Sequence, residues 1–204
     1  MVRFDKVFEQ WAQIYKPLSH NPDKSQKQKA FYRIWALEKE NEFVRNINTA
    51  KSPAMAYSTV VDAKMMPDGK AVSYIHRVYF MVKQISSGLK TTPKTDDDLA
   101  CECKAELDGM CQDFVSFLSG LRTAACRGEK VYKIGTTAAD AESEGENDPH
   151  SFSITSDVVN AYRAIDISSI EWGSNDLFKN GWWVFSLMFE EKEPRYLCVN
   201  PSKY

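Results

Sequence analysis

Three histidines, His20, His76 and His150, are the residues of this sequence best suited to acid–base or nucleophilic chemistry. Such chemistry needs a histidine beside a nucleophile and an orienting carboxylate. His20 and His150 lie in polar stretches near prolines, and His76 lies in a predicted strand beside Arg77. Structural roles in loops and in a sheet explain all three histidines. The sequence therefore assigns no catalytic residue.

The cysteines and glycines indicate no metal, cofactor or phosphate site. Cys101 and Cys103 are two residues apart on a predicted helix, so they point to different sides, and no second Cys or His pair accompanies them. The segment KIGTT at 133–137 has a single glycine, too few to close backbone amides around a phosphate. The five cysteines are an odd set in a chain that can stabilise itself by burial, which favours reduced thiols.

Lysines are concentrated in the segment 18–30, LSHNPDKSQKQKA, which has no apolar period. This composition predicts an exposed basic loop. Its candidate phosphate contacts, together with one residue just beyond it, are Lys24, Lys27, Lys29 and Arg33. The net charge of −2 gives no positive field over the whole chain, so solvated surface is the simpler interpretation and we expect no nucleic-acid partner.

Three segments in which apolar residues follow a helical period predict the helices that would position the candidate residues. Apolar residues recur at steps of three and four over 4–16, over 37–48 and over 99–121. Asp96–Asp98 lie at the predicted start of the last helix, where the helix dipole favours negative charge. Gly128 is a suitable stop signal for it.

Alternating periods predict strands in two parts of the chain. Strands over 54–62 and 72–83 are joined by the turn residues Met66 to Gly69, which favours an antiparallel hairpin. A later segment, 151–172, contains at least one more strand. The run FYRIW, from Phe31, is too short to distinguish a strand from a helix.

The last predicted strand is apolar on both faces. One face carries Trp182, Val184 and Met188, and the other carries Trp183, Phe185, Leu187 and Phe189. Such a strand must be covered twice, by helices on one side and by another layer or another subunit on the second. Interface cores favour aromatic residues, and the interface candidates are Trp172, Trp182, Trp183 and Phe185. The other interpretation is that these rings fill the core of the protomer itself.

Together these elements predict an α+β fold in which an antiparallel or mixed sheet packs against an N-terminal helix and a long central helix. A chain of 204 residues with 43% hydrophobic residues fits one domain spanning 1–204.

Five carboxylates in 140–149 predict an acidic, mobile loop over 138–150. The apolar runs are too short for a membrane helix, so we expect no membrane contact and assembly in the cytosol.

Five segments of the chain resemble a family of proteins of about 200 residues that are encoded among phage and prophage structural genes. The segments are KPLSHNP at 16–22, FYRI at 31–34, AKSPAM at 50–55, GWWVFSLMF at 181–189 and CVNP at 198–201. The order of predicted elements is also similar to that of tail terminator and tail completion (head–tail joining) proteins. Subunits of those proteins form rings that cap the tail tube and join it to the neck.

The resemblance implies a non-enzymatic virion structural protein, located in the tail or neck and assembled in the host cytoplasm. Its implied partners are other copies of itself in a ring, a hexamer by analogy, together with tail-tube and neck or connector proteins. No functional residue carries over, because the matching segments hold core and turn positions. The alternative is a nucleic-acid-binding or regulatory accessory protein of a phage or mobile element. An enzyme comes third, and a pocket that brings His76 near a carboxylate would revive that interpretation.

Overall fold

The computed structural model describes residues 3–25, 29–34, 50–65, 71–84, 95–133, 151–178 and 181–196. In chain order its elements are α1 (Phe4–Ile14), β1 (Phe31–Ile34), β2 (Ala54–Met65), β3 (Ala71–Lys83), α2 (Asp96–Cys126), β4 (Val131–Lys133), β5 (Ser151–Ser153), α3 (Ser156–Ala164), β6 (Ile165–Phe178) and β7 (Trp182–Tyr196). The predicted α+β class is confirmed. The predicted helix over 37–48, the turn at 66–69 and the acidic loop over 138–150 lie outside the described residues.

Five of the described strands form one sheet in the order β1-β2-β3-β7-β6. β2 and β3 form the predicted antiparallel hairpin, with Tyr57 opposite Val78, and β7 pairs antiparallel with both β3 and β6. β1 runs parallel to β2 at the edge, which makes the sheet mixed. The ambiguous run at Phe31 is therefore a strand, because its backbone continues the sheet beyond β2.

Helices cover one face of this sheet. Phe8 and Trp11 of α1 and Phe114 of α2 are at most 2% exposed, and the Phe8 and Phe114 ring centroids are 5.1 Å apart. Phe80 of β3 and Leu187 of β7 face them from the sheet and are fully buried. The alternation that predicted the two faces of β7 is confirmed, because Trp182 and Val184 belong to one apolar cluster and Phe185, Leu187 and Phe189 belong to another.

The long helix α2 begins and ends where the sequence predicts. The Thr95 hydroxyl accepts the backbone N–H of Asp98 at 3.2 Å, and the Asp98 carboxylate accepts that of Thr95 at 3.1 Å, which is a capping box. α2 ends at Cys126, and Gly128 follows with a φ of +76°, in the left-handed region that glycine adopts without strain.

The structure corrects the sequence prediction in two places. The segment 18–30 is not exposed throughout, because Leu18 and His20 are buried at 0% and 5% exposure. Their side chains contact parts of the fold distant in sequence, which local composition does not encode.

Helix α3 was not predicted, because its nine residues have few large apolar side chains. Thr155 caps this helix by accepting the Val158 N–H.

Candidate functional site

The buried polar side chains of the described residues are concentrated where the first turns of α1 cross the sheet. Buried ionisable groups lie on four different segments: Asp5 on α1, His20 after α1, His76 on β3 and Glu191 on β7. Burying an ionisable group is costly unless it is hydrogen-bonded or paired, so each of these side chains must have a specific partner. Their contacts define two groups of residues.

The first group, the buried triad, consists of Tyr57, His76 and Glu191. The Tyr57 hydroxyl lies 2.9 Å from Nδ1 of His76, and Nε2 of His76 lies 3.1 Å from Oε2 of Glu191. The strand register explains this proximity. On β2, Tyr57 pairs with Val78, which follows His76 by two residues on β3. On β7, the partner of His76 is Phe189, which precedes Glu191 by two residues. All three side chains therefore lie on the helix-covered face.

The two ring nitrogens of His76 connect the tyrosine and the carboxylate of the triad. An ionised Glu191 can only accept a hydrogen bond, so Nε2 of His76 is the donor in their contact. Burial, followed by the nearby carboxylates of Asp5 and Glu191, raises the pKa of Tyr57, which keeps the phenol protonated.

Aromatic rings close the triad to solvent. The His76 ring stacks on Phe189 with centroids 4.9 Å apart, and the Phe4 ring of α1 packs edge-on against it at 4.7 Å. Tyr57, His76 and Glu191 are only 4%, 4% and 6% exposed. A tyrosine, histidine and carboxylate in this order could transfer protons, so the structure does bring His76 beside a carboxylate, at a buried position next to α1. In this fold the triad joins three strands.

The second group, the edge ion cluster, joins α1 to β1 through Arg3, Asp5, Glu9 and Arg33. Arg3 donates two hydrogen bonds of 2.9 Å to the Asp5 carboxylate. The guanidinium of Arg33 lies 3.3 Å from Oδ2 of Asp5 and forms an ion pair with Glu9. The hydrogen bond from Arg3 is the main reason that the pKa of Asp5 is lowered, and the positive charge of Arg33 lowers it further.

The structure places the candidate phosphate contacts in different environments. Lys24 is exposed, Lys29 is half-buried, and Lys27 lies outside the described residues. Arg33 is held by two carboxylates, so its charge is already neutralised within the protomer. The sequence missed this because Asp5 and Glu9 precede Arg33 by more than twenty residues.

The interface candidates separate into buried and exposed residues. Trp182 is fully enclosed and Phe185 is 8% exposed, so these two belong to the core of the protomer and have no surface to contribute to a partner. Trp183 is half-buried; its indole N–H donates to Oε1 of Gln84 at 3.0 Å, and Nζ of Lys104 lies 5.0 Å from its ring centroid. Trp172 is 38% exposed, and its indole N–H donates to Asp108 at 2.8 Å.

Four cysteines on α2 carry free thiols: Cys101 and Cys126 are exposed, and Cys103 and Cys111 are buried. Burial, aided by the nearby charge of Asp108, raises the pKa of Cys111 to about 12. Cys111 is therefore a protonated core residue at neutral pH, as its place in the apolar period of the helix predicts.

Comparison with known proteins gives no match to this chain among protein-family models, curated proteins or solved structures. Among the residues that the structure describes, no group of three or more His, Cys, Asp and Glu side chains is arranged to hold a metal ion. None of the described helices has both the length and the apolar character needed to cross a membrane. The surfaces and buried groups of the chain itself are therefore the basis for assigning a function.

Proposed function

We propose that this protein is a non-enzymatic structural subunit of a phage or prophage virion, a tail terminator or head–tail joining protein. It acts as a ring, a hexamer by analogy, that caps the tail tube and joins it to the neck. Two observations support this proposal. The five segments quoted above resemble phage structural proteins, and the described surface has an ordered aromatic residue available for a neighbouring subunit.

The observation that carries the proposal is the exposed stretch 171–173 in the middle of β6. Among the described strands, β6 pairs only with β7 and is therefore an edge of the sheet. Trp172 presents 38% of its surface there, while Asp108 of α2 holds its indole N–H. A large aromatic ring that is ordered before binding loses little conformational entropy when a partner covers it, which is typical of interface hot spots.

The buried triad favours the same function over an enzyme. Its three residues are at most 6% exposed, and two aromatic rings separate its histidine from the surface. Its hydrogen bonds connect β2, β3 and β7 beneath α1, so it stabilises a rigid sheet on which an assembly surface can be presented. The nucleic-acid alternative has less support, because Arg33 is already neutralised by two carboxylates.

Native mass spectrometry and negative-stain microscopy test the proposal. We expect ring-shaped oligomers for the wild-type protein, and self-association weakened by about 30-fold or more in Trp172→Asp, the effect of losing one hot-spot residue. Val131→Asp is the matched control, because Val131 of β4 is similarly exposed, at 41%, and lies outside the five-stranded sheet. Equal losses in both variants would assign the effect to general surface charge.

Two results would contradict the proposed function. One is a protein that stays monomeric at high concentration and does not bind purified tail tubes. The other is a gel shift with nucleic acid that weakens steeply as salt is raised, which would favour the accessory-protein alternative. Ring formation with no salt-dependent gel shift would support the structural role.

A further inference from the structure

The imidazole of His20 holds the beginning of strand β1. Its Nδ1 accepts the backbone N–H groups of both Ala30 and Phe31, each at 3.3 Å, although these residues follow it by ten and eleven positions. The side chain of His20 is only 1% exposed. Because both partners are donors, Nδ1 must be unprotonated, and the proton of the neutral ring is on Nε2.

The same contact connects His20 to the sheet. The carbonyl oxygen of Ala30 accepts the N–H of Met55 at 2.7 Å, so Ala30 is bound by His20 on one side and by β2 on the other. β1 has only four residues, each paired with β2 alone among the described strands. A strand this short at a sheet edge has few backbone hydrogen bonds, so the two that His20 accepts help to hold its first residues in place.

Charged groups from two elements surround the ring. Oε1 of Glu9, on α1, lies 3.5 Å from Nε2 of His20, while the same carboxylate forms an ion pair with Arg33 of β1. Lys29, just before β1, adds a second positive charge. Burial lowers the pKa of His20, Glu9 opposes this shift, and the charges of Lys29 and Arg33 add to it.

We propose that His20 is an acid-sensitive anchor of the sheet edge, whose neutral ring attaches the start of β1 to β2 and whose protonation at Nδ1 releases the backbone of Ala30 and Phe31. A proton on Nδ1 would face two N–H donors, and both would lose their acceptor in a buried site. Release would unpair the edge of β2 at Met55, the partner of Phe31, while Arg33 stays held by Asp5 and Glu9. An unpaired edge of this kind can accept a strand from another chain.

The direction of the pH dependence follows from this arrangement. The folded-state pKa of His20 lies below the ordinary 6.5, so its contribution to stability is complete above pH 6.5. That contribution decreases as the pH falls below 6.5 and is lost once the pH passes the folded-state value. The pKa of Asp5 is lowered as well, so the carboxylate that helps to hold Arg33 stays ionised over this range.

Amide hydrogen exchange measured by NMR at about pH 7.5 and about pH 5 tests the anchor. After correction for intrinsic exchange rates, we expect the protection of the Ala30 and Phe31 amides to fall by about tenfold at the lower pH, the equivalent of one lost buried hydrogen bond. The amide of Leu187, in the middle of the sheet, is the internal reference and is expected to keep its protection.

His20→Asn is the matched variant, because an Asn side-chain oxygen can occupy the position of Nδ1 and accept the same N–H groups without titrating. We expect its Ala30 and Phe31 amides to keep their protection at about pH 5. An equal loss in the wild-type protein and in His20→Asn would overturn the proposal, and so would an unchanged wild-type protein.

A second measurement does not depend on any variant. The ring ¹⁵N and ¹³C chemical shifts of His20 in the wild-type protein report which nitrogen carries the proton. We expect the Nε2–H tautomer at neutral pH and loss of the Ala30 and Phe31 contacts in step with ring protonation. An Nδ1–H tautomer at neutral pH would refute the anchor even if His20→Asn failed to fold.

Discussion

Strands β7 and β6 are neighbours in one sheet and contain the same kinds of residue, but their environments are opposite. Trp182 and Glu191 of β7 are 0% and 6% exposed, whereas Trp172 and Glu171 of β6 are exposed. β7 pairs on both sides, with β3 and with β6, while β6 has β7 as its only partner among the described strands. Position in the sheet, and not residue type, decides which tryptophan is enclosed.

This difference indicates which residues serve stability and which are available for binding. A side chain enclosed within the protomer contributes to the free energy of unfolding and has no surface to bury against a partner. A half-exposed side chain contributes less to folding and can contribute to assembly. Matched substitutions in the two strands should therefore separate the two roles.

The largest difference is expected for the two tryptophans. Trp182→Ala removes a fully buried indole and should lower the free energy of unfolding by about 3–5 kcal/mol. Trp172→Ala loses partial burial and one hydrogen bond, and should cost about 1 kcal/mol. Urea denaturation at low protein concentration measures both values without a contribution from assembly. Similar losses of unfolding free energy in the two variants would mean that the tryptophan of β7 is not more enclosed than the tryptophan of β6.

The fold was largely predictable because hydrophobic periodicity is a local property. The alternation in β3 and β7 reports which residues share a face, and the helical period of α2 reports its buried side. The same alternation does not show how much of each face is covered. It therefore left two interpretations for Trp182, and only the packing of the whole chain places it in the core.

The polar sites could not be predicted, because they depend on register and on contacts between distant residues. The partner of His76 is Glu191, 115 positions later in the chain, and they meet through the pairing of β3 with β7. His20 was assigned to an exposed loop because its neighbours in sequence are polar. Its actual partners are backbone N–H groups, which no side-chain pattern reveals.

The two glutamates should give the next largest difference. Glu191→Leu removes the acceptor of His76 Nε2 within the buried triad and should cost about 1–3 kcal/mol. Glu171→Leu changes an exposed residue and should alter stability by no more than about 0.5 kcal/mol. Thermal unfolding of both variants provides the comparison. A neutral Glu191→Leu would show that the triad does not stabilise the junction of its three strands.

Two glycines extend the comparison to the backbone. Gly181 immediately precedes β7 and has a φ of +76°, and its carbonyl oxygen accepts the N–H of Gln84, so Gly181→Ala should cost about 1 kcal/mol. Gly173 of β6 has no positive φ, and a Cβ added there would have no atom within 4 Å. Gly173→Ala should therefore change stability by less than about 0.5 kcal/mol. Chemical denaturation curves that rank the two variants in the reverse order would contradict this assignment.

A small effect on stability is expected at Asp108, which holds the exposed tryptophan. Asp108→Ala removes the acceptor of the Trp172 indole N–H at a partly exposed position and should cost about 0.5 kcal/mol. We expect a larger effect on how firmly the Trp172 ring is held. Its indole N–H resonance should shift, and the N–H hydrogen should exchange faster with water. ¹⁵N NMR measures both changes, and the Trp182 resonance should be unaffected because its ring is enclosed.

Asp113→Ala is the control for the Asp108 variant. Asp113 lies on the same helix and accepts a hydrogen bond of 2.7 Å from the Tyr15 hydroxyl, so this variant removes an equal charge from α2 without changing the contact of Trp172. If holding the indole in one position before binding contributes to assembly, Asp108→Ala should weaken self-association several-fold and Asp113→Ala should not. Equal effects would mean that the charge of α2, and not the fixed ring on β6, determines how subunits associate.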